Sequence, residues 1–394
     1  MAIDGRCCDG RGIMKGYRVA IAGVGETDFL RASPESTLGM SVEAARRAIA
    51  DAGLVAGDID GIITCGSDPV DEVAFALGME ERPFTAANAV VAGTATVGGA
   101  LQLAQLAIDA GLARHVLVYY AIKCSRPGGP RQFHLAEPLK TDLEMPVGFF
   151  GQPAYFAVVA NRYRHEYGLT EEELAAVSMS TRRWAELTPG AQKRDSLPIE
   201  GYRRSQMIAR PLRAADCCLM TDAGCAYVVT SVERARAMPH PPAVVAGIGI
   251  GTNPLPMSTV FTQNPSLLAL PGDSSAARAY AMAGLASTDV DMAQVYDCFS
   301  ISSILQVEML GLCEKGEGGR FFAAGHGAPG GRAPINTSGG HLAGGYVPGI
   351  NLLVEGVRQL RGARGAAQVP DARVCAVTGL GSNSHATTLL VRDE

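Results

Sequence analysis

The chain has 394 residues, of which 47% are hydrophobic and 19% are charged, so it can bury a large core in two or three domains or in two fused halves. A net charge of −5 and a pI near 5.9 leave no basic footprint for nucleic acid. No apolar run approaches the roughly 18 residues that a membrane helix needs, so we expect a protein that binds neither nucleic acid nor membrane.

Taken in chain order, the predicted elements alternate. Residues 1–16 lack an apolar signal core and are predicted to form a disordered extension. After them, β-branched strands alternate with amphipathic helices, which is typical of an α/β fold whose sheets are covered on both faces. The first half is predicted to contain strands over 18–25, 61–65 and 115–121 and helices over 41–52 and 97–110.

Residues from about 123 to 215 interrupt this alternation with prolines, glycines and many arginines and lysines. We interpret them as an insertion in the first half. The cationic side chains either meet an anionic group such as the phosphates of coenzyme A or form a solvated helix face. The second half is predicted to contain strands over 243–251 and 293–296, helices over 301–310 and 352–360, and a glycine-rich loop over 336–349.

The two halves repeat each other. Residues 52–60 read Ala-Gly-Leu-Val-Ala-Gly-Asp-Ile-Asp, and residues 283–291 read Ala-Gly-Leu-Ala-Ser-Thr-Asp-Val-Asp. Each segment follows an alanine-rich helix and precedes a short strand, and the same order of several elements indicates an internal duplication. The predicted organisation is an extension over 1–16, an N-terminal half over 17–240 and a C-terminal half over 241–394.

Ten cysteines are spread along the chain without the spacing of a disulfide framework. Cys65 and Cys375 lie in apolar, strand-like runs, which favours buried free thiols in a reducing cytoplasm. The nearest approach to a metal cluster, Cys217-Cys218 with Cys225, has no CxxC pair and no histidine at ligand spacing. The sequence therefore predicts a cytoplasmic protein without a metal site.

The loop over 336–349 holds five glycines, a proline, His341 and Tyr346 in fourteen positions. Glycines at this density let backbone approach backbone or a ligand. A histidine and a phenol in such a loop suit a site for a polar or anionic group. A surface loop with two incidental side chains would have the same composition.

Asp-Cys-Phe-Ser stands at 297–300, Asn-x-Ser-Gly-Gly at 336–340, and a glycine-rich strand turn at 379–384. Together with the repeated halves and the insertion, these motifs resemble the thiolase superfamily, specifically its sterol-carrier-protein/lipid-transfer branch. The resemblance covers about residues 17–393. It implies a duplicated thiolase fold of five layers, αβαβα, with a loop-domain insertion in the first half.

The catalytic positions of that family are changed. No cysteine lies in residues 66–123, where a thiolase carries its nucleophile, and Thr94 without a paired base would be a poor substitute. Two positions at which the family carries histidine fall on Tyr296 and Tyr346. A second catalytic cysteine, expected near 379–382, is also missing, so thiolysis is not expected.

Two tyrosines without a nucleophile resemble the thiolase-like aldolases of bacterial steroid side-chain degradation. Members of that group cleave a β-hydroxyacyl-CoA by retro-aldol chemistry, releasing a ketone or aldehyde and a short acyl-CoA. The resemblance implies Tyr296 and Tyr346 as the acid/base pair and His341 as an orienting residue or oxyanion donor. It also implies coenzyme A as part of the substrate, no tightly bound cofactor, and a homodimer that carries zinc-ribbon/OB-fold partner subunits in a heterotetramer.

Six further residues are expected near the substrate, although some have alternative roles. Asp297 either lines the site or caps the following helix, Cys298 is either a site residue or a small buried one, and His385 either lines the pocket or packs in the core. The expected substrate-binding residues are Thr94, Asp297, Cys298, Gly340, Gly345 and His385.

Two rival functions stay open at this point. One is an acyltransferase or thiolase that uses Cys298 or another cysteine. The other is a non-catalytic acyl-CoA carrier of the lipid-transfer type.

Overall fold

The computed structural model of the protein describes the chain apart from its two ends and five short internal segments. The predicted extension over 1–16 lies outside the described residues. Within the described part, no helix is long and apolar enough to cross a bilayer. The described residues are 18–88, 92–126, 138–255, 260–269, 271–381 and 383–393.

Most strands are buried along nearly their whole length, because helices cover the sheet on both faces. The strands are β1 Val19–Glu26, β2 Gly61–Thr64, β3 Phe84–Ala87, β4 His115–Lys123, β5 Met207–Ala209, β6 Leu212–Arg213, β7 Asp222–Ser231, β8 Ala243–Thr252, β9 Met292–Gln294, β10 Val374–Leu380 and β11 Ser384–Arg392.

Nine of these strands form one sheet in the order β3-β2-β4-β7-β1-β8-β11-β10-β9, and β5 pairs with β6 in a separate ribbon. The neighbours β1, β7, β4 and β2 of the first half correspond to β8, β11, β10 and β9 of the second. The directions correspond too, since β7 and β11 are antiparallel to both neighbours, whereas β2–β4 and β9–β10 are parallel pairs. The predicted duplication is therefore visible in the sheet, and the halves meet where β1 pairs with β8.

Capping side chains fix the start of several helices. Ser36 Oγ accepts from Gly39 N, and Thr170 and Glu173 form a reciprocal capping box. The helices are α1 Thr37–Asp51, α2 Val70–Leu77, α3 Ala92–Thr94, α4 Ala100–Asp109, α5 Gln152–Tyr167, α6 Glu171–Leu187, α7 Ile199–Arg204, α8 Val232–Ala235, α9 Gly272–Ala283, α10 Ser300–Met309, α11 Gly318–Ala323 and α12 Ile350–Leu360, with π-helical turns at Ala95–Gly99, Lys140–Glu144 and Gly340–Gly344.

Five layers follow from the way these helices pack. Helix α1 lies against β1 and β7, and helix α9 lies against β8 and β11. Helix α12 contacts both β7 and β10, so it lies between the two halves of the sheet. The π-helical turn Ala95–Gly99, which leads into α4, contacts β10 and β11 from the same central layer. The predicted order αβαβα is confirmed.

Glycines at matching positions bring each outer helix onto its strand. A Cβ atom at Gly23 in β1 would stand 2.2 Å from Ala48 O, and one at Gly247 in β8 would stand 2.2 Å from Ala279 O. Only glycine permits so close an approach of helix backbone to strand. The same packing requirement in both halves explains why the two strand sequences are alike.

The insertion lies between two paired strands, β4 and β7. In the second half the corresponding strands, β10 and β11, are joined by residues 381–383 alone, whereas the first half uses residues 124–221, against the predicted 123–215. The described part of the insertion contains α5, α6, α7 and the β5–β6 ribbon.

A buried carboxylate, Asp216, ties the insertion to the second half. It accepts hydrogen bonds from Tyr202 Oη at 2.8 Å, Ser300 Oγ at 2.7 Å and Arg213 N at 2.8 Å. Because Ser300 begins α10, this carboxylate also positions the residues that precede that helix.

We expect Asp216→Ala to lower the free energy of unfolding by about 3–5 kcal/mol, because the donors of Tyr202, Ser300 and Arg213 lose their acceptor. Urea unfolding followed by circular dichroism measures the change. The matched control is Asp195→Ala, an exposed position of the same insertion, which should stay within about 0.5 kcal/mol of the parent. Equal stability of the two variants would contradict the assigned role.

Candidate active site

Tyr296 lies two residues after the end of β9 and four residues before α10. Its N–H donates to Thr378 Oγ1 at 3.0 Å, and its carbonyl oxygen accepts from Gln306 Nε2 at 2.7 Å. Since Thr378 belongs to β10 and Gln306 to α10, neighbouring elements of the second half fix the backbone that carries this phenol.

The glycine-rich loop over 336–349 carries Tyr346. It contains the π-helical turn Gly340–Gly344, which begins with a left-handed residue, Gly340, at φ 54°. A Cβ atom there would lie 2.2 Å from Asp297 Oδ2, so both the backbone angle and the space require glycine.

Asp297 joins these two segments. Its Oδ1 accepts from His341 N at 2.7 Å and its Oδ2 from Leu342 N at 3.3 Å, where backbone donors at the start of a helical turn stabilise an anion. Burial nevertheless raises the pKa of Asp297 to about 7. The carboxylate therefore caps the loop turn, and the alternative that it caps α10 is wrong.

The structure brings the two predicted tyrosines into direct contact. Tyr296 Oη and Tyr346 Oη lie 2.9 Å apart. Tyr296 is 3% exposed and Tyr346 is half-buried. A hydrogen bond between two phenols lets a proton entering at one oxygen leave from the other.

Both phenols are protonated at neutral pH, because burial raises the pKa of each well above its usual value. Backbone N–H groups of the loop beside these phenols donate to other acceptors. The N–H groups of His341 and Leu342 donate to Asp297, that of Gly345 to Gly340 O, and that of Tyr346 to Thr221 Oγ1.

His341 is completely buried beside the two phenols. Its ring meets that of Tyr296 edge-on at a centroid distance of 4.7 Å and that of Tyr346 at 5.0 Å. Nε2 lies 3.2 Å from Asn351 Oδ1, and Nδ1 lies 3.4 Å from Asp297 Oδ1 without forming a hydrogen bond. Because both nitrogens face protein atoms, the geometry favours the orienting role over that of an oxyanion donor.

A short segment at the end of the insertion, residues 217–221, crosses the site. Cys218 N donates to Cys298 O at 2.9 Å and Leu219 N to His341 O at 3.0 Å. Thr221 Oγ1 accepts from Tyr346 N at 2.9 Å. This segment thus forms hydrogen bonds with both segments of the second half that carry the tyrosines.

In the region where a thiolase carries its nucleophile, the ring of Tyr296 packs against Gly93. A Cβ atom at Gly93 would lie 2.4 Å from Tyr296 Cδ2, so the ring of Tyr296 takes up the space of a side chain. The neighbouring Thr94 is buried, donates to Gly379 O at 3.4 Å and accepts from Ser384 Oγ at 3.1 Å. Its partners are not bases, and nothing in this geometry activates the hydroxyl.

Cys298 is buried, and its Sγ lies 3.6 Å from Ser302 Oγ. Burial raises the pKa of this thiol to about 12, so the protonated form dominates and a thiolate nucleophile is not available at neutral pH. The geometry therefore favours the alternative of a small buried residue.

Two other expected substrate contacts are packing positions. His385 is fully buried, with Nδ1 2.7 Å from Ser275 Oγ and Nε2 3.2 Å from Gln306 Oε1. Gly345 lies against Phe29, where a Cβ atom would stand 2.5 Å from Cδ1. Both residues support the site from within the core, which does not favour the expected contact with substrate.

Sequence reasoning missed Thr221 and Asn351, whose side chains bind the glycine-rich loop. Asn351 Nδ2 donates to Gly345 O at 2.9 Å. An available signal was the place of Asn351 directly before the predicted helix over 352–360, where a buried polar side chain needs a nearby partner.

Comparison with known proteins shows the family to which the chain belongs. Residues 257–392 match the family model for a thiolase C-terminal domain-like region. The chain is 37% identical to the 17-hydroxy-3-oxo-4-pregnene-20-carboxyl-CoA lyase of Mycobacterium tuberculosis, over 88% of this chain and 92% of that protein. It is 35% identical to a steroid side-chain-cleaving aldolase of Thermomonospora curvata, over 87% and 90% of the two chains.

A solved structure, the Ltp2-ChsH2(DUF35) aldolase, superimposes with a TM-score of 0.87 at 33% identity, covering 96% of this chain and 98% of the other. The chain belongs to the thiolase superfamily. It has the duplicated thiolase fold, and within the superfamily it is a carbon–carbon lyase of the thiolase-like aldolase type. The expected fold and enzyme class are both confirmed.

Acid should destabilise this thiolase-like lyase through its buried histidines. Burial lowers the pKa of His385 to about 3, below the unfolded value of about 6.5. Between these values the unfolded chain binds the extra proton, so stability is present above about pH 6.5 and is lost as the pH falls.

From pH 7 to pH 5, His385→Gln should lose about 2 kcal/mol less stability than the parent, measured by urea unfolding at both pH values. His165→Gln, at an exposed position of α5, serves as the control with the parent's pH dependence. If His385→Gln loses as much stability between pH 7 and pH 5 as the parent does, the buried imidazole is not the cause of the acid destabilisation.

Proposed function

We propose that this lyase cleaves a β-hydroxyacyl-CoA by a retro-aldol reaction in which Tyr296 and Tyr346 act together as a proton relay. The observation that carries the proposal is the 2.9 Å hydrogen bond between the two phenol oxygens. A retro-aldol step requires no covalent acyl-enzyme, which agrees with the protonated, buried Cys298.

The relay balances all protons. The bond between Cα and Cβ of the acyl group breaks, and its electron pair goes to Cα. The β-hydroxyl oxygen becomes the carbonyl oxygen of the released ketone or aldehyde, and its proton passes to one phenol. That phenol gives its own proton to the second, which protonates Cα of the short acyl-CoA. No phenolate has to form beforehand, so the high pKa values of the two phenols are compatible with this chemistry.

The substrate is proposed to be a coenzyme A thioester of a steroid side chain, with coenzyme A as the handle of the substrate and no tightly bound cofactor. The names of the two relatives from M. tuberculosis and T. curvata support this class. The free cysteines among the described residues suit a reducing compartment, and we place the reaction in the cytoplasm.

Replacing Tyr296 or Tyr346 with phenylalanine should lower kcat by roughly a hundredfold or more, because either change interrupts the relay. Mass spectrometry of the products from steroid β-hydroxyacyl-CoA thioesters measures turnover. The matched control is Tyr167→Phe, which removes an exposed phenol outside the site and should keep the parental rate.

Near-parental rates in both site variants would rule out the relay. If the parent protein binds the thioesters but releases no product, the carrier function is favoured instead. Inactivation by iodoacetamide, together with loss of activity in Cys298→Ala, would favour a cysteine-dependent acyltransferase.

The assembly is proposed to be a homodimer that carries two zinc-ribbon/OB-fold partner subunits of the DUF35 type. The DUF35 component named for the structural relative supports the partner. Two exposed features support the dimer. Strand β3 lies at one edge of the sheet, and Phe75, on the preceding helix α2, is 86% exposed.

Co-expression with a DUF35-type subunit should yield a complex of two copies of each chain, because the edge strand joins the copies and each copy binds one partner. Light scattering after size-exclusion chromatography measures the mass, and the chain expressed alone is the control, expected as a dimer. A monomer that does not bind the added subunit would contradict this assembly.

A further inference from the structure

Asn351 links the loop that carries Tyr346 to the ring of His341. It is 6% exposed in the first turn of α12. Its Nδ2 donates to the carbonyl oxygen of Gly345, the residue before Tyr346, at 2.9 Å. The reverse amide orientation would set two oxygens against each other, so Oδ1 is the atom that faces His341 Nε2 at 3.2 Å.

This amide orientation decides which nitrogen of His341 carries the proton. Burial keeps the imidazole neutral by lowering its pKa to about 3. Because Asn351 Oδ1 can only accept, the single N–H must lie on Nε2. The competing tautomer would point Nδ1–H at Asp297 Oδ1, 3.4 Å away, but would leave Nε2 and Oδ1 as two facing acceptors.

The phenol pair depends on how this ring is held. The imidazole lies nearly perpendicular to both phenol rings, with interplanar angles of 80° to Tyr296 and 82° to Tyr346. A turn of the ring toward Asp297 changes both edge-to-face contacts at once. The two phenols that make these contacts with the imidazole have oxygens 2.9 Å apart.

We propose that Asn351 is a positioning residue of the aldolase site, which locks His341 as the Nε2–H tautomer and thereby holds the two phenols in hydrogen-bond contact. The kinetic part of this proposal rests on the proposed function. Asn351 bonds to His341 and to the loop backbone, and it acts on the reaction through them.

The test uses the full chain labelled with ¹⁵N-histidine, with the His341 signals assigned by their loss in His341→Gln. In the parent protein at neutral pH, the long-range ¹H–¹⁵N spectrum should show a protonated Nε2 and an unprotonated Nδ1. Asn351→Leu removes the acceptor at nearly constant volume, and its spectrum should show the proton on Nδ1, facing Asp297. Asn351→Asp keeps an acceptor and should keep the proton on Nε2.

Kinetics with the acyl-CoA substrate supply the second readout. Asn351→Leu should lower kcat by roughly tenfold to a hundredfold with little change in KM, because the phenols are misaligned while the substrate still binds. Asn351→Asp should recover part of this loss. Asn161→Leu, the same change at an exposed position of α5, is the control and should keep the parental kcat.

A parent spectrum with the proton on Nδ1, or an unchanged spectrum and kcat in Asn351→Leu, overturns the proposal. An equal loss in both readouts for Asn351→Asp and Asn351→Leu overturns it as well. If Asn351→Leu does not fold, the parent and Asn351→Asp spectra decide the tautomer. The spectra need no turnover, so a parent protein without lyase activity would refute the proposed function and leave the tautomer assignment testable.

Discussion

The site depends first on one buried carboxylate. Asp297 follows Tyr296 directly, and it binds the N–H groups of His341 and Leu342 at the start of the turn that leads to Tyr346. A carboxylate without water carries a large desolvation cost, which is why its pKa rises to about 7. Backbone donors offset part of that cost. The contact in return fixes the distance between the segments that carry Tyr296 and Tyr346, two residues that lie 50 positions apart in the chain.

Three parts of the chain meet around this carboxylate. The second half supplies β9, β10 and the glycine-rich loop, and the first half supplies the backbone at Gly93, against which the ring of Tyr296 packs. The insertion adds the segment 217–221, which is hydrogen-bonded to Cys298, His341 and Tyr346. The second half has no counterpart of segment 217–221, because residues 381–383 alone join β10 to β11, the strands that correspond to β4 and β7. Duplication alone would therefore leave the side of the site that this segment covers open.

The type of reaction follows from the side chains that replace the catalytic residues of a thiolase. A nucleophilic cysteine requires a stabilised thiolate, whereas burial keeps Cys298 protonated. Gly93 leaves room for the Tyr296 ring, and a second phenol completes a hydrogen-bonded pair. In the proposed relay, a pair of neutral phenols moves protons without separating charge, which suits a buried site. The same fold can therefore break a carbon–carbon bond without an acyl-enzyme.

By itself the sequence determined the duplicated fold and the two tyrosines. The strand glycines recur because both halves pack a helix directly on a strand, at Gly23 in the first half and at Gly247 in the second. The tyrosine positions follow from counting residues along the family's motifs. Only the tertiary structure decided that the N–H groups of His341 and Leu342 bind Asp297 and that the ring nitrogens of His341 face Asn351 and Asp297. It also revealed Thr221, which lies 125 residues from its partner Tyr346. Such choices depend on which donors and acceptors meet after burial, and local sequence carries no record of those distant partners.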